Sequence, residues 1–117
     1  MARISTHVLD IARGRPAEGL AIDLYSLADG VRTLLRRGVT NADGRVNEPL
    51  FAADSIPRGV YELDFHAGDY LRSQALVVDE PPFLDVVTIR FGVSDEHGNY
   101  HVPLLLAPHG YSTYRGS

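Results

Sequence analysis

Turn-forming residues recur along this chain at short intervals, and that rhythm restricts its fold more than any other feature. They include Arg13-Gly14-Arg15-Pro16, Ala28-Asp29-Gly30, Asn41-Ala42-Asp43-Gly44, Pro57-Arg58-Gly59, Glu80-Pro81-Pro82 and Asp95-Glu96-His97-Gly98-Asn99. Glycine and proline there supply special φ values, and Asn and Asp bond their own backbone. The segments between them are short and rich in β-branched residues, Leu and Tyr. Such spacing predicts an all-β sandwich or barrel.

Several of these segments alternate with period two, as half-buried strands do. In 20–27, Leu20, Ile22 and Leu24 share one face, with Ala21, Asp23 and Tyr25 opposite. In 60–66, Tyr61, Leu63 and Phe65 oppose Glu62, Asp64 and His66. In 86–93, Val87, Ile89, Phe91 and Val93 form an apolar stripe opposite Thr88 and Arg90. The stretch 68–77 lacks this alternation. Asp69 as a cap and the spacing of Leu71, Ala75 and Leu76 predict a short helix there, ended before Pro81-Pro82. The expected architecture is about eight strands with one short helix between the fifth and sixth. At 117 residues the chain has the size of one domain spanning 1–117.

The formal net charge of -4 and the scattered bases argue against a nucleic-acid binder. The absence of cysteine excludes disulfides, zinc–thiolate sites and thiol catalysis. The N-terminus has no apolar signal-peptide core, and no apolar run approaches the roughly 20 residues of a membrane span. A cytoplasmic location is the expectation by default. The final Arg-Gly-Ser is not a peroxisomal signal.

Five histidines are the obvious candidates for chemistry. His66, His97 and His109 read as solvated surface residues. His7 and His101 lie within short strand-like segments, each on a face opposite apolar neighbours. They fit either ordinary half-buried histidines or functional ones. His7 and His101 are far apart in the chain, without the mutual His-x-His or His-x-x-x-His spacing that would support zinc. Arg45 follows the Asp43-Gly44 turn dipeptide and is expected to begin the next strand. It is either an exposed strand-end Arg or a fork of donors facing a carbonyl or anionic ring. The tail from Tyr111 to Ser117 holds five hydroxyls and Arg115. It is either frayed or a polar strand closing over a site. Pro103 conflicts with the middle of a ladder, so its strand is bulged or its amide side is unpaired there.

Three segments together carry a resemblance. They are Ser5-Thr6-His7-Val8-Leu9-Asp10, Thr40-Asn41-Ala42-Asp43-Gly44-Arg45, and the long run from Tyr100-His101-Val102-Pro103 through Ala107-Pro108-His109-Gly110 to Tyr114-Arg115-Gly116-Ser117. In this order they resemble the transthyretin-related family of 5-hydroxyisourate hydrolases over essentially the whole chain, with the terminal Tyr-Arg-Gly-Ser the most specific element. The resemblance implies a transthyretin-like two-sheet β-sandwich and a cofactor-free enzyme of urate breakdown. It implies a homotetramer, a dimer of dimers, with sites in the channel where two dimers meet. It places His7, Arg45, His101 and the terminal Tyr114, Arg115, Gly116 and Ser117 at the family's active-site positions. Ala107 departs from the Ser expected before the proline. That change is expected to loosen the turn without removing activity.

The activity implied is hydrolysis of 5-hydroxyisourate to 2-oxo-4-hydroxy-4-carboxy-5-ureidoimidazoline. Such a reaction needs an activated water, a stabilised oxyanion and a proton for the leaving nitrogen. The expected roles are His101 with Ser117 for the water, Arg45 for the oxyanion, and His7 for orientation or proton donation. Tyr114 and Arg115 would shape the pocket wall. The main alternative is a transthyretin-like carrier of a small aromatic ligand. A second is an immunoglobulin-like interaction module. Neither a nucleic acid nor a membrane is an expected partner.

Overall fold

The computed structural model describes every residue from Met1 to Ser117. In chain order the elements are β1 (Ala2–Asp10), β2 (Arg15–Pro16), β3 (Ala21–Ala28), β4 (Val31–Val39), β5 (Phe51–Ala53), β6 (Gly59–Phe65), α1 (Ala67–Ser73), β7 (Val87–Val93), β8 (Asn99–Ala107) and β9 (Gly110–Thr113). Setting aside the two-residue β2, the helix falls between the fifth and sixth of eight strands, as the turn spacing predicts. No helix is long and apolar enough to cross a membrane.

Two sheets form. One has the order β2-β1-β8-β9, with β5 also pairing β1; the other has the order β4-β3-β6-β7. Their inner faces supply the core. Ile4, Val8, Val102, Leu104 and Leu106 of the first sheet meet Ile22, Leu24, Leu63 and Phe65 of the second. The alternation in β3, β6 and β7 therefore sorts side chains as expected, with the apolar set turned inward.

The polar face of the second sheet is less solvated than alternation implies. Glu62 and Asp64 are 5% and 8% exposed, because arginines from β4 and β7 cover them. Arg32 reaches Glu62 Oε1 at 2.9 Å and Asp64 Oδ2 at 2.7 Å, with its guanidinium 3.8 Å from the centre of the Tyr25 ring. Arg90 takes the other oxygen of Glu62 at 2.8 Å, and Thr88 donates to the other oxygen of Asp64 at 2.7 Å. His66 is not simply solvated either. Its Nε2 lies 3.0 Å from Asp23 Oδ2. His97 and His109 are exposed, as expected.

The helix differs from expectation at both ends. It begins at Ala67, and Asp69 is not its cap: His66 precedes it without a side-chain capping bond. Asp69 lies in the first turn and accepts a bond from Arg72 at 2.7 Å. Ala75 adopts φ 56°, a left-handed conformation that stops the helix before Leu76. The helix is anchored through Tyr70, whose hydroxyl donates to Asp10 Oδ2 at 2.6 Å. Asp10 is 1% exposed, and its other oxygen accepts from Arg13 N at 3.0 Å. Burial and the adjacent carboxylate push the Tyr70 phenol well above its usual range, so it remains the donor. Tyr70→Phe leaves a buried carboxylate oxygen without its partner. The expected loss is about 1–3 kcal/mol of stability, measured by urea unfolding.

Candidate active site

The site follows from the pairing of β1 with β8. These strands run parallel in continuous register, with Ser5 opposite His101 and His7 opposite Pro103. Because Ile4, Thr6 and Val8 point into the core, Arg3, Ser5 and His7 point outward. Tyr100 and Val102 likewise turn His101 outward. The two imidazoles therefore share one outer face, on adjacent strands, as diagonal neighbours about 7–8 Å apart at the backbone.

Each ring is held at one nitrogen. Ser5 Oγ lies 2.9 Å from His101 Nδ1. His7 Nε2 lies 2.8 Å from the Asp43 carbonyl oxygen, which can only accept. His7 therefore carries its proton on Nε2, leaving Nδ1 free. Burial first, then the charge of Arg45 and the presence of His7 alongside, lowers the His101 pKa below its ordinary value. Both effects disfavour the imidazolium.

Arg45 reaches this face from a loop and does not begin a strand; the next one, β5, starts at Phe51. The loop is docked on β1 by Val8 N donating to Gly44 O at 2.8 Å. Asn41 Oδ1 ties it internally by accepting from Asp43 N and Arg45 N at 2.9 and 3.2 Å. Gly44 has φ 76°, and a Cβ there would collide with the Val8 carbonyl oxygen. Only glycine lets the loop lie this close to β1. A cavity of about 360 Å3 opens here, with Arg3, Ser5 and Arg45 in its wall. His7 and His101 stand beside it and are not part of its lining.

The tail continues along β8. Gly116 N donates to His101 O at 2.8 Å, and the His101–Gly116 bridge keeps the register of the Leu104–Thr113 pair. The ladder is interrupted between them, opposite Pro103, which has no amide to donate. Pro103 is thus accommodated without a bulge, through an unpaired amide side. Its carbonyl accepts instead from Thr113 Oγ1 at 2.7 Å. Gly116 packs directly on the His101 ring: a Cβ there would lie 2.5 Å from Cδ2.

The other tail residues divide. Ser117 is exposed and follows Gly116. Tyr114 lines a smaller apolar cleft with Ile89, Phe91 and Tyr100. Arg115 is not brought to the imidazole face. Its guanidinium stacks 4.4 Å from the centre of the Tyr100 ring and donates to Asn99 O at 3.2 Å. Ser5 and the Asp43 carbonyl are the contributors that a search for chemical residues passes over. Ser5 had a signal, since period two puts it on the face of His7; the Asp43 carbonyl had none. No three His, Asp or Glu side chains converge as a metal site would require.

A two-sheet sandwich with histidines on one outer face defines the class as transthyretin-like, and the comparisons with known proteins agree. The family model described as HIUase/Transthyretin matches residues 4–116, and the chain belongs to that family. It is 56% identical over 115 residues to 5-hydroxyisourate hydrolase 2 of Rhizobium meliloti (strain 1021), covering 98% of this chain and 96% of that protein. Among solved structures, (S)-allantoin synthase matches with a TM-score of 0.90 and 39% identity. That match covers 99% of this chain, which spans only 44% of the longer protein. Sea bream transthyretin in complex with thyroxine matches with a TM-score of 0.86 and 30% identity, covering 97% of this chain and 94% of that one.

Two outcomes test the geometry. Gly116→Ala forces the His101 ring aside, so turnover of the family substrate falls at least about tenfold while the thermal midpoint moves little. Because His101 is held neutral, activity persists below pH 6.5, the ordinary imidazole value, and is lost only as the pH falls through the lowered pKa. In Arg45→Gln the acid limb of the residual rate moves upward, read from kcat/KM against pH.

Proposed function

We propose that this chain hydrolyses 5-hydroxyisourate to 2-oxo-4-hydroxy-4-carboxy-5-ureidoimidazoline, without a cofactor. The observation that carries this reading is the His101 ring, clasped between Ser5 and Gly116 on the same face as His7 and beside Arg45. The hydrolase names of full-length relatives support it.

His101 is the base. With Nδ1–H donating to Ser5 Oγ, its Nε2 presents a lone pair to water, and the lowered pKa keeps that form available. Ser117, next to Gly116, helps to position the water through its hydroxyl or carboxylate. The water oxygen bonds to the ring carbonyl carbon while Arg45 stabilises the oxyanion. The C–N bond then breaks, one water proton passes to the leaving nitrogen, and the new carboxyl group ionises. His7, its tautomer set by Asp43, orients the ring through Nδ1. Gly116 completes the substrate pocket, and Tyr114 and Arg115 contribute to it by holding the tail in place. Arg115 does so by bracing the tail against Tyr100.

The assembly we infer is a homotetramer whose channel closes over this face. His7 is only half-buried and Arg45 exposed in the single chain, which supports a site completed by other copies. The likeness to transthyretin raises a second reading, a carrier that binds an aromatic ligand without turnover. A face bearing two imidazoles and Arg45 suits polar chemistry better than apolar retention.

Generating 5-hydroxyisourate from urate in situ and following its ultraviolet absorbance tests the activity; stoichiometric binding without substrate loss would favour the carrier. His101→Asn lowers turnover by about two to four powers of ten; near-full activity removes His101 from the mechanism. Deleting residues 114–117 abolishes turnover with the circular dichroism spectrum retained.

A further inference from the structure

We propose that Arg3 is a further binding residue of this site, a second guanidinium that with Arg45 holds the anionic edge of a purine-derived ring. The proposal rests on the hydrolase reading for its substrate but on separate observations for its chemistry. Arg3, Ser5 and His7 form one outward row on β1, spaced about 6.5–7 Å apart. In the pairing with β8, Arg3 lies opposite Asn99, one outward position from the Ser5–His101 pair. Arg3 and Arg45 both line the 360 Å3 cavity, whose size suits a small molecule.

The charge balance of that cavity also favours an anion. Arg32, Arg36, Arg37, Arg72 and Arg90 each pair with a carboxylate. The Arg3 and Arg45 side chains do not. The acid in the cavity wall, Glu48, is already engaged by Arg36 at 3.1 Å. Two unpaired guanidinium groups facing one polar cavity disfavour each other and favour an anion between them. Their planar forks match a delocalised N–C–O edge of the kind an ionised purine trione presents.

Arg3 touches the ring away from the scissile bond, so it contributes to binding more than to the chemical step. The test titrates urate, an anion at neutral pH, and xanthine, its largely uncharged counterpart, into the unaltered protein and into Arg3→Gln, Arg3→Lys and Arg58→Gln. Arg58→Gln removes the same charge from an exposed turn outside the cavity. In Arg3→Gln, urate binds about tenfold more weakly and xanthine changes less than about twofold. KM for 5-hydroxyisourate rises by a similar factor while kcat holds, and Arg3→Lys recovers part of the loss. Unchanged urate affinity, equal weakening of both ligands, the same loss in Arg58→Gln, or no urate binding by the unaltered protein overturns the assignment. If the protein fails to hydrolyse 5-hydroxyisourate yet Arg3→Gln still weakens urate selectively, the hydrolase reading falls and the anion site stands.

Discussion

The parallel pairing of β1 with β8 is the constraint on which the rest of the molecule depends. Its register sets which residues from opposite ends of the sequence become neighbours, and Thr6 reinforces it from the inner side by donating to the Val102 carbonyl at 2.7 Å. A slip of one residue would turn His101 into the core and Val102 out of it. The packing of Ile4 and Val8 against Leu104 and Leu106 therefore fixes the position of the imidazoles. The histidine-bearing face is a by-product of burying the opposite one.

The two sheets treat charge in opposite ways. On the outer face of β3, β6 and β7, Asp23, Glu62 and Asp64 are each covered by a cation. That network uses up its own binding capacity. On the outer face of β1 and β8, Arg45 has no carboxylate partner, and the pKa of His101 is lowered by its burial and then by the charge of Arg45. Unspent positive charge beside a neutral imidazole suits both an anionic ring and the removal of a proton from water.

Much of the scaffold was legible in the sequence. Alternation in 20–27, 60–66 and 86–93 identified strands and their inner faces, because each has one face in the core. His7 and His101 stood out because each is a polar residue facing away from apolar neighbours. What escaped depended on contacts remote in sequence. Arg45 follows an ordinary turn dipeptide, and its place in a loop is set by Val8 donating to Gly44. Glu62 and Asp64 lie on the polar side of a strand, and their burial comes from Arg32 and Arg90 on other strands of the same sheet. Asp69 has the chemistry of a cap, but the helix begins before it, with Ala67 and Gly68 buried and Gly68 donating to Asp85 O in the loop before β7. Arg115 shares a motif with Gly116, yet successive residues of an extended tail face opposite ways, and the ring of Tyr100 captures its guanidinium.

The separation of 96 residues between Ser5 and His101 also bears on how the protein is made. Ribosomes add about 5–20 residues each second, so the first strand emerges roughly 5–20 seconds before its partner exists. Throughout that interval one edge of a long, half-apolar strand lacks its bonding neighbour, the condition that invites pairing with other chains. Contacts this remote also slow folding itself, because a large loop must close before they form. Newly synthesised chains therefore keep that edge open until β8 has cleared the exit tunnel.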